Sequence, residues 1–181
     1  DAEAVLAALG APARVQILRE GAAWWHPGRH GRICLGPKKT LGVFGEVHPK
    51  VLRAMGVRGP AVAFALWPAE IPAPRKADAA RPALVLSDLQ AVERDFAFVL
   101  DAGVEAGQVV AAAQGADKAL IEEVRVFDQF TGGALGEGRK SLAITVRIQP
   151  TDRTLTDAQI EAVAQKVVAK VSAATGGTLR G

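Results

Sequence analysis

The 181-residue chain is 49% hydrophobic, 23% charged and 5% aromatic, a globular balance that excludes a disordered or fibrous protein. A single cysteine, Cys34, excludes a disulfide framework and fits a reducing compartment, and no apolar run approaches the ~20 residues of a spanning helix. The net charge of +3 is uneven, with 12 Lys and Arg against 6 Asp and Glu in residues 1–85 and 10 against 13 in residues 86–181.

From these figures a soluble, cytoplasmic protein is expected, of a length that suits two domains of ~100 residues each. The chain starts at Asp1 and its only methionine is Met55, so it reads as a piece of something longer.

In chain order, Ala2–Leu9 reads as a short helix and Val15–Leu18 as a strand. Ile33–Leu35, Leu41–Gly45 and Ala61–Leu66 are short β-like runs, and Val51, Leu52 and Met55 share one face of a helical turn over His48–Met55. A small mixed sheet is expected here. Four prolines between Pro68 and Pro82, with few bulky apolar neighbours, mark a linker, because proline fixes φ and removes a backbone donor.

Beyond the linker, Val92–Leu100 alternates, Ala106–Gln114 carries Val109, Val110 and Ala113 at helical spacing, and Ile121–Phe130 is β-rich. Ser141–Gln149 alternates strictly, so Leu142, Ile144, Val146 and Ile148 share one face and the other is polar. Thr156 and Gln159 form a capping box ahead of Ile160, Val163, Ala164, Val167, Val168 and Val171 at helical spacing. Gly176-Gly177 stops that helix, and Thr178–Arg180 adds a last strand. The order β-α-β-β-α-β is the ferredoxin-like split motif.

His26, His30, Cys34 and His48 supply enough donors for a tetrahedral zinc ion. Their spacing fits no standard finger, and Pro27-Gly28 bends the chain, so they read as loop residues with separate jobs. The loop Gly132–Ser141 nearly spells a phosphate loop, but Arg139 interrupts it and a strand follows, so a flexible connection is the better account. No histidine follows His48, which leaves the second half without the usual general base near neutral pH.

Two features suit binding instead. Asp128 and Phe130 lie two apart on a strand end, hence on one face, where a ring beside a carboxylate suits a stacked base whose edge donates hydrogen bonds. The same pattern also fits two core phenylalanines with Asp128 opening a turn. Phe127 is expected on the opposite face, in the core. Arg139, Lys140, Arg147 and Arg153 form a candidate basic cluster for phosphates, or a solvated loop.

Trp25-His-Pro-Gly-Arg29 and Leu41-Gly-Val-Phe-Gly-Glu-Val-His-Pro-Lys50 resemble the HPGR and GxFGExHP signatures at the end of the bacterial phenylalanyl-tRNA synthetase beta subunit. Arg94-Asp95, Phe127-Asp128, Lys140-Ser141-Leu142-Ala143, Asp152-Arg-Thr-Leu-Thr156 and Leu179-Arg180-Gly181 resemble its ferredoxin-fold anticodon-binding domain. The resemblance implies an α+β chain: residues 1–70 as part of a non-catalytic class II synthetase-like core, 71–86 as linker and 87–181 as the anticodon-binding domain.

It further implies that Asp128, Phe130 and Ser141 meet the first anticodon base, with Phe130 standing where the family usually has tyrosine. The implied partners are phenylalanine tRNA and a catalytic alpha subunit, in a tetramer of two alpha and two beta chains, with no membrane or DNA partner. No catalytic or metal-binding residue is expected in this fragment of a ligase. ATP and magnesium would serve the whole enzyme. The alternative is a ferredoxin-like amino-acid-sensing regulatory domain, with Asp101–Val104 as its ligand loop and the acidic second half in its favour.

Overall fold

A computed structural model of the chain describes residues 1–12, 15–73 and 87–180. Contacts divide it into two units, residues 1–82 and 83–181. The expected linker, 71–86, lies outside the described residues from 74 onward; before it, Pro68–Glu70 forms one 3-10 turn.

The first unit runs α1 (Ala2–Ala8), β1 (Gln16–Leu18), β2 (Trp25–Leu35), β3 (Lys39–Val47), α2 (Pro49–Ala54) and β4 (Val62–Leu66). Its sheet has the order β1-β2-β3-β4 and is antiparallel throughout, where the sequence suggests a mixed one. Sequence neighbours are also sheet neighbours: the connections from β1 to β2 and from β2 to β3 are too short for the crossover that a parallel pair needs, and β3 pairs antiparallel with β4 across the longer connection that carries α2. Strand β2 is longer than its apolar pattern suggests, because Pro27-Gly28 is taken up by an irregularity in the register between Trp25 and His30. Proline is tolerated at such points because the ladder there asks for no donor.

Leu6 of α1 packs with Ile33 and Leu41 to form a thin core. Strand β4 lies at the sheet edge and leaves Val62 83% and Phe64 44% exposed.

The two sequence signatures of this unit meet across β2 and β3. Arg29 donates to Glu46 at 2.7 Å, and a Cβ on Gly45 would stand 2.8 Å from the Arg29 carbonyl oxygen and 2.6 Å from the His30 Cβ. His30 Nδ1 is 2.8 Å from the His26 carbonyl oxygen. His48 caps α2 by accepting from the Lys50 N–H, and its own N–H donates to the Trp24 carbonyl. Cys34 is buried beside Thr40. Among the described residues, no group of three or more His, Cys, Asp and Glu is placed to hold a metal ion.

The second unit runs β5 (Val92–Asp101), α3 (Ala106–Gln114), β6 (Ile121–Phe130), β7 (Arg139–Ile148), α4 (Asp157–Thr175) and β8 (Thr178–Leu179), in the sheet order β6-β7-β5-β8. One sheet face, built from Phe96, Phe98, Leu100, Leu142, Ile144, Val146 and Ile148, packs on Val109 and Ala113 of α3 and on Ile160, Val163, Val167 and Val171 of α4. The Thr156–Gln159 capping box is formed. Gly176 closes α4 at φ +68, a left-handed conformation that glycine takes without steric cost.

Asp117 ties the turn between α3 and β6 to α4. Its carboxylate accepts from the backbone N–H groups of Ala119 and Leu120 and from Lys166 Nζ at 2.9 Å. The Lys166 hydrogen bond, helped by those N–H groups, holds its pKa below the ordinary aspartate value. A depressed carboxylate adds stability above its unfolded-state pKa, and that stability disappears as pH falls through the folded-state value. Asp117→Asn is therefore expected to cost ~1 kcal/mol near neutral pH. In urea titrations from neutral to acidic pH, the gap between variant and wild type closes below the folded-state pKa.

Candidate nucleic-acid interface

Side chains along a strand alternate between faces, and the pairing register carries that alternation across the sheet. In β7 the even-numbered residues are buried against the helices, which puts Arg139, Ser141, Ala143, Thr145 and Arg147 on the open face. Opposite them on β6 stand Phe130 (across from Ser141), Asp128 (from Ala143), Arg125 (from Thr145) and Glu123 (from Arg147). On β5 the partners are Asp101, Val99, Ala97, Asp95 and Glu93, respectively.

Asp128, Phe130 and Ser141 therefore occupy three corners of one cross-strand rectangle, and Ala143 is the fourth. Directly opposed side chains have Cβ atoms about 5 Å apart and diagonal ones about 7 Å apart. Ala143, followed by Ala97 on β5, leaves a low floor across from the carboxylate and diagonal to the ring. Phe130 is 46% exposed and Ser141 only 4%, so the ring offers a face while the serine lies at the bottom. Gly132 is shaped to the ring: a Cβ there would come within 2.6 Å of the Phe130 Cζ. Of the two glycines, Gly132 alone makes room for the ring, since a Cβ on Gly133 would meet nothing within 4 Å.

Phe127 departs from expectation. A register shift between Val126 and Asp128 makes it the extra residue of a bulge, and it is 58% exposed instead of buried in the core. A second shift between Ile121 and Glu123 does the same at Glu122. Both bulges lie on an edge strand, where they are commonest.

The candidate phosphate contacts are dispersed. Arg139 is beside Ser141 on that face, but it donates to Asp101 at 3.2 Å and to the Val99 carbonyl at 3.4 Å. Lys140 points the other way; it is 7% exposed and its ammonium donates to the Val104 carbonyl. Its even position in β7 turns it toward the helices, so the phosphate contact expected of it gives way to a structural role. Arg147 lies about 20 Å further along the strand from Ser141. Its Nε donates to Glu122 at 2.8 Å, and that hydrogen bond raises the guanidinium pKa, as does Glu93. Arg153 follows β7, in the exposed segment leading to α4. Neither Arg147 nor Arg153 joins Arg139 beside Ser141.

The Asp101–Val104 loop of the sensor alternative is held at both ends, by Arg139 and by Lys140. The glycine-rich loop leads into strand β7 rather than a helix, so it lacks the helix N-terminus that a nucleotide phosphate requires. The alanine floor is not among the residues the sequence singles out, and Arg180, expected in the last strand, donates its N–H to the Ala97 carbonyl at the far edge of the face. The alternation of Val92–Leu100 carried the signal for Ala97.

A family model described as the ferredoxin-fold anticodon binding domain matches residues 87–180. The chain belongs to this family. A second model, the phenylalanyl tRNA synthetase beta chain CLM domain, matches residues 1–67. Over its whole length the chain is 75% identical to the phenylalanine–tRNA ligase beta subunit of Ruegeria pomeroyi, 66% to that of Cereibacter sphaeroides and 53% to that of Brucella abortus. It spans 23% of the length of each of these relatives. Among the described residues, no helix is long and apolar enough to cross a membrane.

Within the anticodon-binding domain, the bulge predicts how the two phenylalanines differ. Phe127→Ala removes a side chain that is mostly in water, so it should cost under ~1 kcal/mol, far from the ~3–5 kcal/mol of a core aromatic. Thermal melts of the two proteins are expected to agree within a few degrees.

Proposed function

We propose that the chain is the tRNA-binding portion of a phenylalanine–tRNA ligase beta subunit, and that it reads the anticodon of phenylalanine tRNA on the open face of its second sheet. The observation that supports this reading is the register that sets Asp128, Phe130 and Ser141 side by side on one face, with Ala143 and Ala97 beside them. A base stacked on the Phe130 ring puts its edge toward the Asp128 carboxylate and the Ser141 hydroxyl. Stacking needs only the ring face, so phenylalanine serves where a relative carries tyrosine.

The family resemblance divides the chain into a synthetase-like core over 1–70, a linker over 71–86 and the anticodon domain over 87–181. It works in the cytoplasm as part of a tetramer of two alpha and two beta chains. Amino-acid activation, with its ATP and magnesium, belongs to the alpha subunit, and no residue of this chain is assigned to either group.

Phe130→Ala is expected to weaken binding of phenylalanine tRNA by ~1–3 kcal/mol, the usual worth of one base stacked on an aromatic. Phe130→Tyr stays near wild type. Asp128→Asn keeps the shape and removes the charged acceptor, so it loses discrimination between tRNAs more than raw affinity. Gel shifts with phenylalanine tRNA and one other tRNA check all three. A Phe130→Ala protein that binds and melts like wild type refutes the anticodon contact.

The first unit packs on the alpha subunit through the apolar edge at β4. Val62, Phe64 and Trp67 are exposed there, and cavities of about 610 and 630 Å³, both lined by Ala63 and Phe64, open beside that strand. An apolar edge strand of this kind is normally covered in a native assembly. In the full-length beta subunit, Val62→Lys with Phe64→Glu is expected to abolish co-purification of the alpha subunit. Undiminished co-purification assigns the contact to another surface.

A further inference from the structure

The anticodon reading places RNA on a face that holds few available positive charges. Three arginines lie on that face in β6 and β7, and each is held by a carboxylate. Arg139 pairs with Asp101 at 3.2 Å. Arg147 pairs with Glu122 at 2.8 Å and stands 3.7 Å from Glu93. Arg125 lies 3.7 Å from Glu93 and 3.8 Å from Glu123. The register accounts for this arrangement, since β5 sets Glu93, Asp95 and Asp101 along the open face, with Glu93 and Asp101 directly across from Arg147 and Arg139. Asp95 accepts instead from the Thr145 hydroxyl at 2.6 Å.

Each exposed ion pair is worth only ~0–1 kcal/mol, so a phosphate could compete for any one arginine. The field of the whole face decides the outcome. Glu93, Asp95, Asp101, Glu122, Glu123 and Asp128 more than cancel these three arginines and Arg180 at the β8 edge, and a face without net positive charge does not concentrate a polyanion.

We infer that Glu93, Glu122 and Asp101 are specificity-determining residues that act through the arginines they hold. They keep the open face from gripping the RNA backbone, so retention depends on the base seated at Phe130. Specificity is a difference of affinities, and weakening the contact that every RNA shares widens that difference. This inference rests on the anticodon reading. It adds that the carboxylates act against RNA in general, while Asp128 acts for one base.

The test uses the whole chain, the anticodon stem-loop of phenylalanine tRNA, and oligouridine as the non-cognate probe. Affinity is read by fluorescence anisotropy from ~50 to ~200 mM salt, a range over which backbone contacts are strongly weakened. The variants are Glu93→Gln with Glu122→Gln, which removes both carboxylates within 4 Å of Arg147, and separately Asp101→Asn, which removes the carboxylate paired with Arg139. Each is expected to bind oligouridine several-fold more tightly than wild type. Each should also steepen the log–log salt slope by ~0.7 per arginine relieved of its carboxylate, the value for single strands, and narrow the preference for the stem-loop.

A structural role for these pairs alone would shift melting temperature without changing the slope difference. Folded variants with wild-type slope and wild-type oligouridine affinity overturn the inference. Phe130→Ala in the wild-type background keeps the two ideas separate. If it leaves stem-loop binding intact, the anticodon reading fails, whatever the slopes show.

Discussion

Strand β7 cannot turn two neighbouring side chains to the same face, and the rest of the second unit follows from that restriction. Its even positions supply Leu142, Ile144, Val146 and Ile148 to a core covered by α3 and α4. Its odd positions are then committed to the open face together with whatever β5 and β6 place beside them. Lys140 shows how strict the restriction is: an ammonium group at an even position is carried inward and must find a carbonyl, which Val104 provides. An unpartnered charge in that place would cost several kcal/mol.

The open face is assembled from small contributions with different origins. Alanines at 97 and 143 leave space, Gly132 leaves room for a ring, and the bulge at Phe127 keeps Asp128 and Phe130 on the same face as Ala143 and Ser141, directly across from them. None of these residues is reactive. Together they set an exposed ring, a carboxylate and small side chains side by side on a face whose arginines are paired with carboxylates.

The first unit spends its signature residues on geometry. Arg29 with Glu46, Gly45 under Arg29 and His30, and His48 as a helix cap all fasten the irregular start of β2 to β3 and α2. Its core of Leu6, Ile33 and Leu41 is small beside that of the second unit, and β4 stays apolar and uncovered. Such a surface suits a region that belongs to a larger assembly.

Much of this was legible in the residues themselves. Helix and strand periods depend on local geometry, so Ala106–Gln114 and Ile121–Phe130 emerge with the bounds their patterns suggest, and the Thr156 box and Gly176 delimit α4 as capping chemistry requires. The pairing of Asp128 with Phe130 on one face follows from the period of two, and the motifs carried the family.

Other features arose only when strands met. The two bulges of β6 depend on its register against β7, which moved Phe127 into water and brought Glu122 to Arg147. Strand β2 runs through Pro27-Gly28 because β3 offers it a ladder, and local propensity cannot register a partner that lies far along the chain. Arg139 and Arg147 read as part of a basic cluster in one dimension, yet each is held by a carboxylate of another strand. Charges cancel through space, and only the tertiary structure decides which ones are neighbours.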